Sequence, residues 1–584
     1  MSTPEAELPK ARVVLCWHMH QPSYFNPGTG DYQLPWVYLH AIKDYVDMAA
    51  HLEAVPEARA VVNFSPTLIE QIEDYSAQVA GFLAGERRLQ DPLLRALAEP
   101  VLPDDECERR HLVQQCLRVN HRRLVEPFPA FHRLVELSRW VERHGQHVDY
   151  LSDQFMVDLL VWYHLAWLGE TVRRRDPRVR RLLRQEAAYT IHDRRELLEV
   201  IGELMGGVLE RYRRLADSGR VELSVTPYAH PILPLLQDVQ SAREAWPEIQ
   251  LPLLERYFGG EERARWHVER GIETFEKAFG RRPEGCWPAE GGVSRATLEL
   301  LAESGFRWAA SGGAVLDNSL RAADQWAEDD PRWHRAYTLA GADGAAGNGG
   351  ANAHHPPLHC FFRDDGLSDA IGFEYSDWHG DDAVANLVNR LEEIADRCAD
   401  PGQAVISIIM DGENAWEHYP ANGYFFLSGL YRQLADHPRL EMTTFAAAAA
   451  GVEPRPLERL VAGSWVYGTF STWIGEADKN RAWDMLGEAK QAFDRAVPGL
   501  KPEVQWRAEA QLAICESSDW FWWFGDYNPA GVVREFDHLY RVQLTALYEI
   551  LGVEPPEHLS HAFTHRGKGS PEKGGVMRHG RADG

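Results

Sequence analysis

Two carboxylates stand out by their surroundings. Glu290 lies in Gly285-Cys-Trp-Pro-Ala-Glu290-Gly-Gly, between a tryptophan and two glycines, in a turn where backbone can approach a bound molecule closely. That context makes it a candidate nucleophile; helix capping or a solvated side chain is the plain alternative. Asp411 follows the apolar run Ile406-Ser-Ile-Ile-Met410 and opens Asp411-Gly-Glu413-Asn-Ala-Trp416-Glu-His-Tyr419. A carboxylate at the end of a buried strand is positioned, partly desolvated and able to carry a raised pKa. Helix capping is again the alternative, and within this segment Glu413 competes for the same role. Glycosidic cleavage needs two such groups, one attacking and one protonating the leaving oxygen, about 5–5.5 Å apart in retaining enzymes.

Histidines form the second constellation. His18 and His20 are two apart on an extended run, hence on one face, and His230 sits in Thr226-Pro-Tyr-Ala-His230-Pro-Ile-Leu-Pro234 after another such run. Three histidines on one rim suit sugar hydroxyls or a metal ion. A lone His-x-His is weak evidence for zinc, which requires three or four ligands in fixed geometry.

The elements that must place these groups recur along the chain. Arg12–Trp17, the run from Ala60 to Phe64, Val221–Val225 and Ala404–Met410 read as strands that deliver polar residues at their C-terminal ends. Helical spacing lies between them, as from Arg195 to Ala216 with Gly219 beyond the end. Strand, polar loop and helix in alternation predict an α/β fold with a parallel sheet, and functional groups at strand ends point to a barrel. The arginines from Arg173 to Arg184 read as a solvated helix face, and the Gly/Ala-rich stretch Gly341 to Gly350 as a surface loop.

The chain has 584 residues, enough for a large catalytic domain with an appended one. We expect a catalytic domain over residues 1–450, a helical, Trp-rich domain over 451–560 and a disordered tail over 561–584. A net charge of −26 disfavours nucleic acid and anionic membranes. No apolar run reaches the roughly 20 residues needed to span a bilayer, and the start shows no secretory pattern, so a cytoplasmic location is expected. Seven scattered cysteines, an odd count, read as reduced and mostly buried thiols, and the 20 tryptophans are an excess suited to sugar faces.

Taken together, five segments resemble glycoside hydrolase family 57, specifically its amylopullulanase-like α-glucan hydrolases. They are His18-Met-His20-Gln21-Pro22, Tyr228-Ala-His230-Pro-Ile-Leu-Pro234, Cys286-Trp287-Pro-Ala-Glu290, Met410-Asp411-Gly-Glu413-Asn-Ala-Trp416 and Ser471-Thr-Trp473-Ile-Gly475. The resemblance runs from about Val13 to about Leu551 and includes Ser518-Asp-Trp-Phe-Trp-Trp-Phe-Gly525. It implies an incomplete (β/α)7 barrel with a helical domain packed beside it. It also implies a retaining mechanism with Glu290 as nucleophile and Asp411, rather than Glu413, as general acid/base, with no metal and no cofactor.

On this reading the substrate is an α-1,4-glucan such as starch, glycogen or maltooligosaccharides, with α-1,6 branches a further target. His18, His20, Gln21, His230, Trp287, Glu413, Trp416 and Trp473 are expected to bind it. Transfer of glucan to a sugar instead of water, as by a 4-α-glucanotransferase or branching enzyme, uses the same site. A metal-dependent, α-mannosidase-like or deacetylase-like hydrolase built on His18, His20 and an aspartate is the second class. A carbohydrate-binding protein without turnover is the third, disfavoured by the presence of both carboxylates.

Overall fold

The computed structural model describes residues 9–144, 148–328, 330–340, 357–565 and 577. Seven parallel strands close on themselves: β1 (Ala11–Met19), β2 (Ala60–Phe64), β3 (Val221–Val225), β4 (Gly285–Cys286), β5 (Trp308–Gly312), β6 (His359–Arg363) and β7 (Val405–Asp411). Closure comes from β7, which pairs with β1 from Arg12↔Val405 to His18↔Asp411 and touches β6 at Ser407↔Arg363. The expected barrel is present. Its strands are buried along nearly their whole length, as parallel strands flanked by helices must be.

Barrel closure is aided by small residues where large ones cannot fit. A Cβ on Gly285 would lie inside the indole ring of Trp308, so the short strand β4 passes this side chain only as glycine. The N-terminal half of β1 also pairs with Leu440–Thr443, and the short strands Tyr337–Leu339 and Arg455–Leu457 extend the sheet beside β6. Arg455–Leu457 lies past residue 450, so the sheet continues beyond the expected boundary.

Helices fill the connections. The helix Ile191–Asp217 begins with a reciprocal capping box between Thr190 and Asp193 and precedes β3. A helical layer after the barrel contains Ala477–Ala496, Pro502–Cys515, Ser518–Trp523 and Ala530–Leu551. Six cysteines are buried, Cys107 is exposed and none is paired. No helix among the described residues is long and apolar enough to cross a membrane. The Gly341 to Gly350 stretch and most of the expected disordered tail lie outside the described residues. His561 to His565 are described: Thr564 and His565 bond to Asp537 and Asp478, so this part of the expected tail is docked.

Candidate active site

The C-terminal ends of the barrel strands bring the carboxylates and histidines together. Parallel register sets His18 beside Asp411, and the Gly412 N–H donates to the His18 carbonyl at 2.7 Å. Glu290 follows β4 in a tight turn at φ 58°, and Gly291 follows at φ 60°, where a Cβ would meet the Trp287 ring at 2.8 Å. Left-handed backbone at a glutamate is costly, and it aims the carboxylate where an ordinary turn would not. Trp465 fixes the side chain: its backbone N–H donates to the Glu290 carbonyl at 3.0 Å and its indole N–H to Oε2 at 2.9 Å.

Asp411 is different. Burial raises its carboxyl to about 6, against the opposing pulls of a hydrogen bond from Asn414 at 2.8 Å and the charges of His20 and Arg363. Its neighbour Glu413 is buried; Oε1 accepts from the His20 backbone N–H and the Gln21 amide, each at 3.3 Å, while Oε2 has no partner among the described residues. Burial, then the charges of Asp411 and Asp44, push the Glu413 carboxyl well above its usual range. The charge of Asp411 thus works against ionisation of Glu413, two residues on.

The histidine tautomers follow from their partners. The side-chain oxygen of Asn63 accepts from Thr226 Oγ1 and faces His18 Nδ1 at 2.7 Å, so His18 donates there. His18 Nε2 is then the acceptor for His230 Nε2–H at 3.1 Å, and His230 Nδ1 accepts from Ser518 Oγ at 2.8 Å. Burial holds both rings well below the ordinary histidine range, which keeps them neutral. His20 sits between Ser65 Oγ and the Asp519 carboxylate, each at 2.8 Å.

His20, His230 and Asp519 place three donor atoms near one another. The His20 and His230 rings, however, are stacked with centroids 3.7 Å apart and planes at 10°, so their in-plane lone pairs run alongside each other instead of meeting at one point. All four ring nitrogens also have protein partners. This cluster is built as a hydrogen-bond network.

Ser518 and Asp519 are anchored through Glu516, two and three residues upstream. Burial alone would raise Glu516, but Arg263 and His267 override it and hold the carboxyl at about 2, with Tyr257 also donating. Its contribution to stability is therefore complete above about pH 4.5 and is lost as pH falls toward 2. Glu516→Gln strands a buried guanidinium and should cost about 3–5 kcal/mol at pH 7, measured by urea denaturation; a loss below about 1 kcal/mol would show that the network is dispensable.

These groups line a cavity of about 500 Å³, together with Trp36, Trp167, Trp465, Trp522, Trp523 and Phe536. The tryptophans expected to bind sugar are elsewhere. Trp287, Trp416 and Trp473 are at most 1% exposed and do not line the cavity. Trp287 packs under the Glu290 turn against Trp465, Trp416 against Trp17, and Trp473 against the back of Trp522. His18, His20, Gln21, His230, Glu290, Asp411 and Glu413 all reach the cavity.

The model of glycosyl hydrolase family 57 matches residues 14–460. The chain belongs to this family. Among solved structures, the family 57 fold recurs in the GH57-type branching enzyme from Pyrococcus horikoshii, at 15% identity and TM-score 0.55, covering 98% of this chain and 99% of that one. It recurs in TK1436, a GH57 branching enzyme from Thermococcus kodakaraensis, at 14% identity and TM-score 0.53, covering 92% and 90%. The α-amylase AmyC from Thermotoga maritima follows at 14% identity and TM-score 0.52, covering 93% and 94%. No match was found among curated proteins. As a family 57 member the chain is a glycoside hydrolase or a related glycosyl-processing enzyme.

Several groups of the family 57 site had escaped sequence reasoning. Asn63 and Ser65 carried a signal, being polar residues at the end of an apolar strand. Trp465, Arg363 and Trp36 carried none, and Trp167, Ser518 and Asp519 stood out only through the resemblance of their segments.

Proposed function

We propose that this enzyme cleaves α-glucans by retaining double displacement, with Glu290 as nucleophile and Asp411 as general acid/base. The observation that carries the reading is the pair of carboxyl groups in one cavity with unlike surroundings. Asp411 is partly buried, raised to about 6 and able to hold a proton near neutral pH. Glu290 is gripped by an indole N–H and the turn backbone, which orients it for attack. Flat aromatic walls suit pyranose faces, and the fold relatives named as branching enzymes and an α-amylase support an α-glucan substrate.

The covalent glycosyl-enzyme then passes its sugar to water or to a sugar hydroxyl. Tryptophans at several points around the cavity offer stacking surface for an acceptor sugar, which favours transfer alongside hydrolysis. Product analysis on maltooligosaccharides, amylose and pullulan separates the two outcomes. Proton NMR tests the mechanism: the first-formed reducing end should be the α-anomer, and an initial β-anomer would overturn it. Activity should also survive exhaustive chelation, because the His20, His230 and Asp519 arrangement does not converge on an ion.

Removing the Asn414 side chain tests the acid. Its N–H donates to Asp411 and lowers that carboxyl, so Asn414→Ala should raise it further. A general acid works only while protonated. The alkaline limb of kcat/KM should accordingly move upward by up to about one pH unit, and a limb that stayed in place or moved down would count against Asp411 as the acid.

A further inference from the structure

In the helical insertion between β2 and β3, outside the cavity lining, two histidines and two glutamates gather. The helix Pro129–Arg143 carries His132 and Glu136 one turn apart, and the short π-helical turn His121–Val125 lays His121 against them. His121 Nε2 lies 3.8 Å and His132 Nε2 4.0 Å from the same oxygen, Glu136 Oε1. At those separations neither nitrogen donates a hydrogen bond to the carboxylate. His121 Nε2 is screened from solvent and has no hydrogen-bond partner among the described residues.

We propose that His121 Nε2, His132 Nε2 and the Glu136 carboxylate bind a divalent transition-metal ion, zinc by their ligand chemistry, with water in the fourth position. The three ligand atoms lie within 4.8 Å of one another. Tetrahedral zinc with bonds of about 2.0–2.1 Å spaces its ligands about 3.4 Å apart, so the two gaps to Glu136, 3.8 and 4.0 Å, close by about half an ångström. The His132 and Glu136 side chains are 42% and 51% exposed and free to make that adjustment. Ring orientation also permits it: the two imidazoles cross at 77°, so their in-plane lone pairs can meet, unlike those of the stacked pair in the active site.

Glu126 supplies an independent argument. Its Oε1 faces His121 Nδ1 at 3.3 Å, and a carboxylate there holds the proton on Nδ1 and leaves the Nε2 lone pair for the ion. The nearest competing cation is Arg139, 3.9 Å from Glu136. The turn that carries His121 also grips the cavity rim. Arg122 and Arg123 pair with Asp377, and Arg123 donates to the His418 carbonyl at 2.7 Å, beside the cavity-lining Glu417. A bound ion thus ties the insertion helix to a segment that borders the substrate cavity.

The test uses the full chain, freed of metal by chelation and titrated with zinc sulfate by calorimetry and thermal melting. Wild type should take up one zinc ion with a rise in Tm. His132→Ala and Glu136→Gln should lose both responses while keeping a wild-type far-UV spectrum, since both side chains are exposed. Glu126→Gln should keep the stoichiometry and weaken zinc about 10–100-fold. Absence of zinc uptake by wild type, or uptake and Tm rise that persist in Glu136→Gln, would overturn the proposal.

Discussion

Glu290→Gln should lose at least several thousand-fold in turnover of α-glucan, about 5 kcal/mol of barrier. An amide cannot supply the electron pair that forms the glycosyl-enzyme, so the first step is removed rather than slowed. The surroundings are expected to survive. The amide oxygen can still accept the Trp465 indole N–H, and the turn is fixed by backbone contacts and by Trp287 beneath Gly291. Glucan binding by calorimetry should be nearly unchanged, and mass spectrometry should show no covalent intermediate with a slow substrate. Turnover within tenfold of wild type would rule out Glu290 as the nucleophile.

Asp411→Asn should cost about 10²–10⁴-fold on natural glucans, the usual weight of general acid catalysis. The loss should shrink with an aryl glycoside whose leaving group departs readily as an anion, because protonation then contributes little to the first step. Asparagine can keep the contact with Asn414 and the strand register with His18, so folding should hold. The alkaline limb near pH 6 set by the Asp411 carboxyl should vanish from the variant's profile. Equal losses on natural and activated substrates would argue that Asp411 has another task.

Four barrel strands were legible in the sequence because they are β-branched apolar runs that end in polar residues. The other three were not, and for two of them the reason is physical: β4 is two residues long, β5 is rich in small side chains, and each is tailored to a neighbour, as Gly285 is to Trp308. Both carboxylates were visible through their segments. The tryptophans misled because adjacency along the chain does not say which side of a turn a ring occupies. Trp287 lies three residues from Glu290 and supports it from beneath, whereas Trp465, remote in sequence, bonds to it directly. Contacts such as His20 with Asp519, 499 residues apart, are settled by packing of the helical layer and leave no local pattern.

That long-range contact has a consequence for how the enzyme is made. A growing chain has every barrel strand once β7 has left the ribosome, yet Ser518 and Asp519, which hold His230 and His20, come about a hundred residues later. At roughly 5–20 residues per second this leaves a lag of roughly 5–20 s. During it the barrel can close while its histidines lack their final supports. The nascent enzyme therefore gains its competent site only once Ser518 and Asp519 have emerged, after the sheet on which that site stands is already complete.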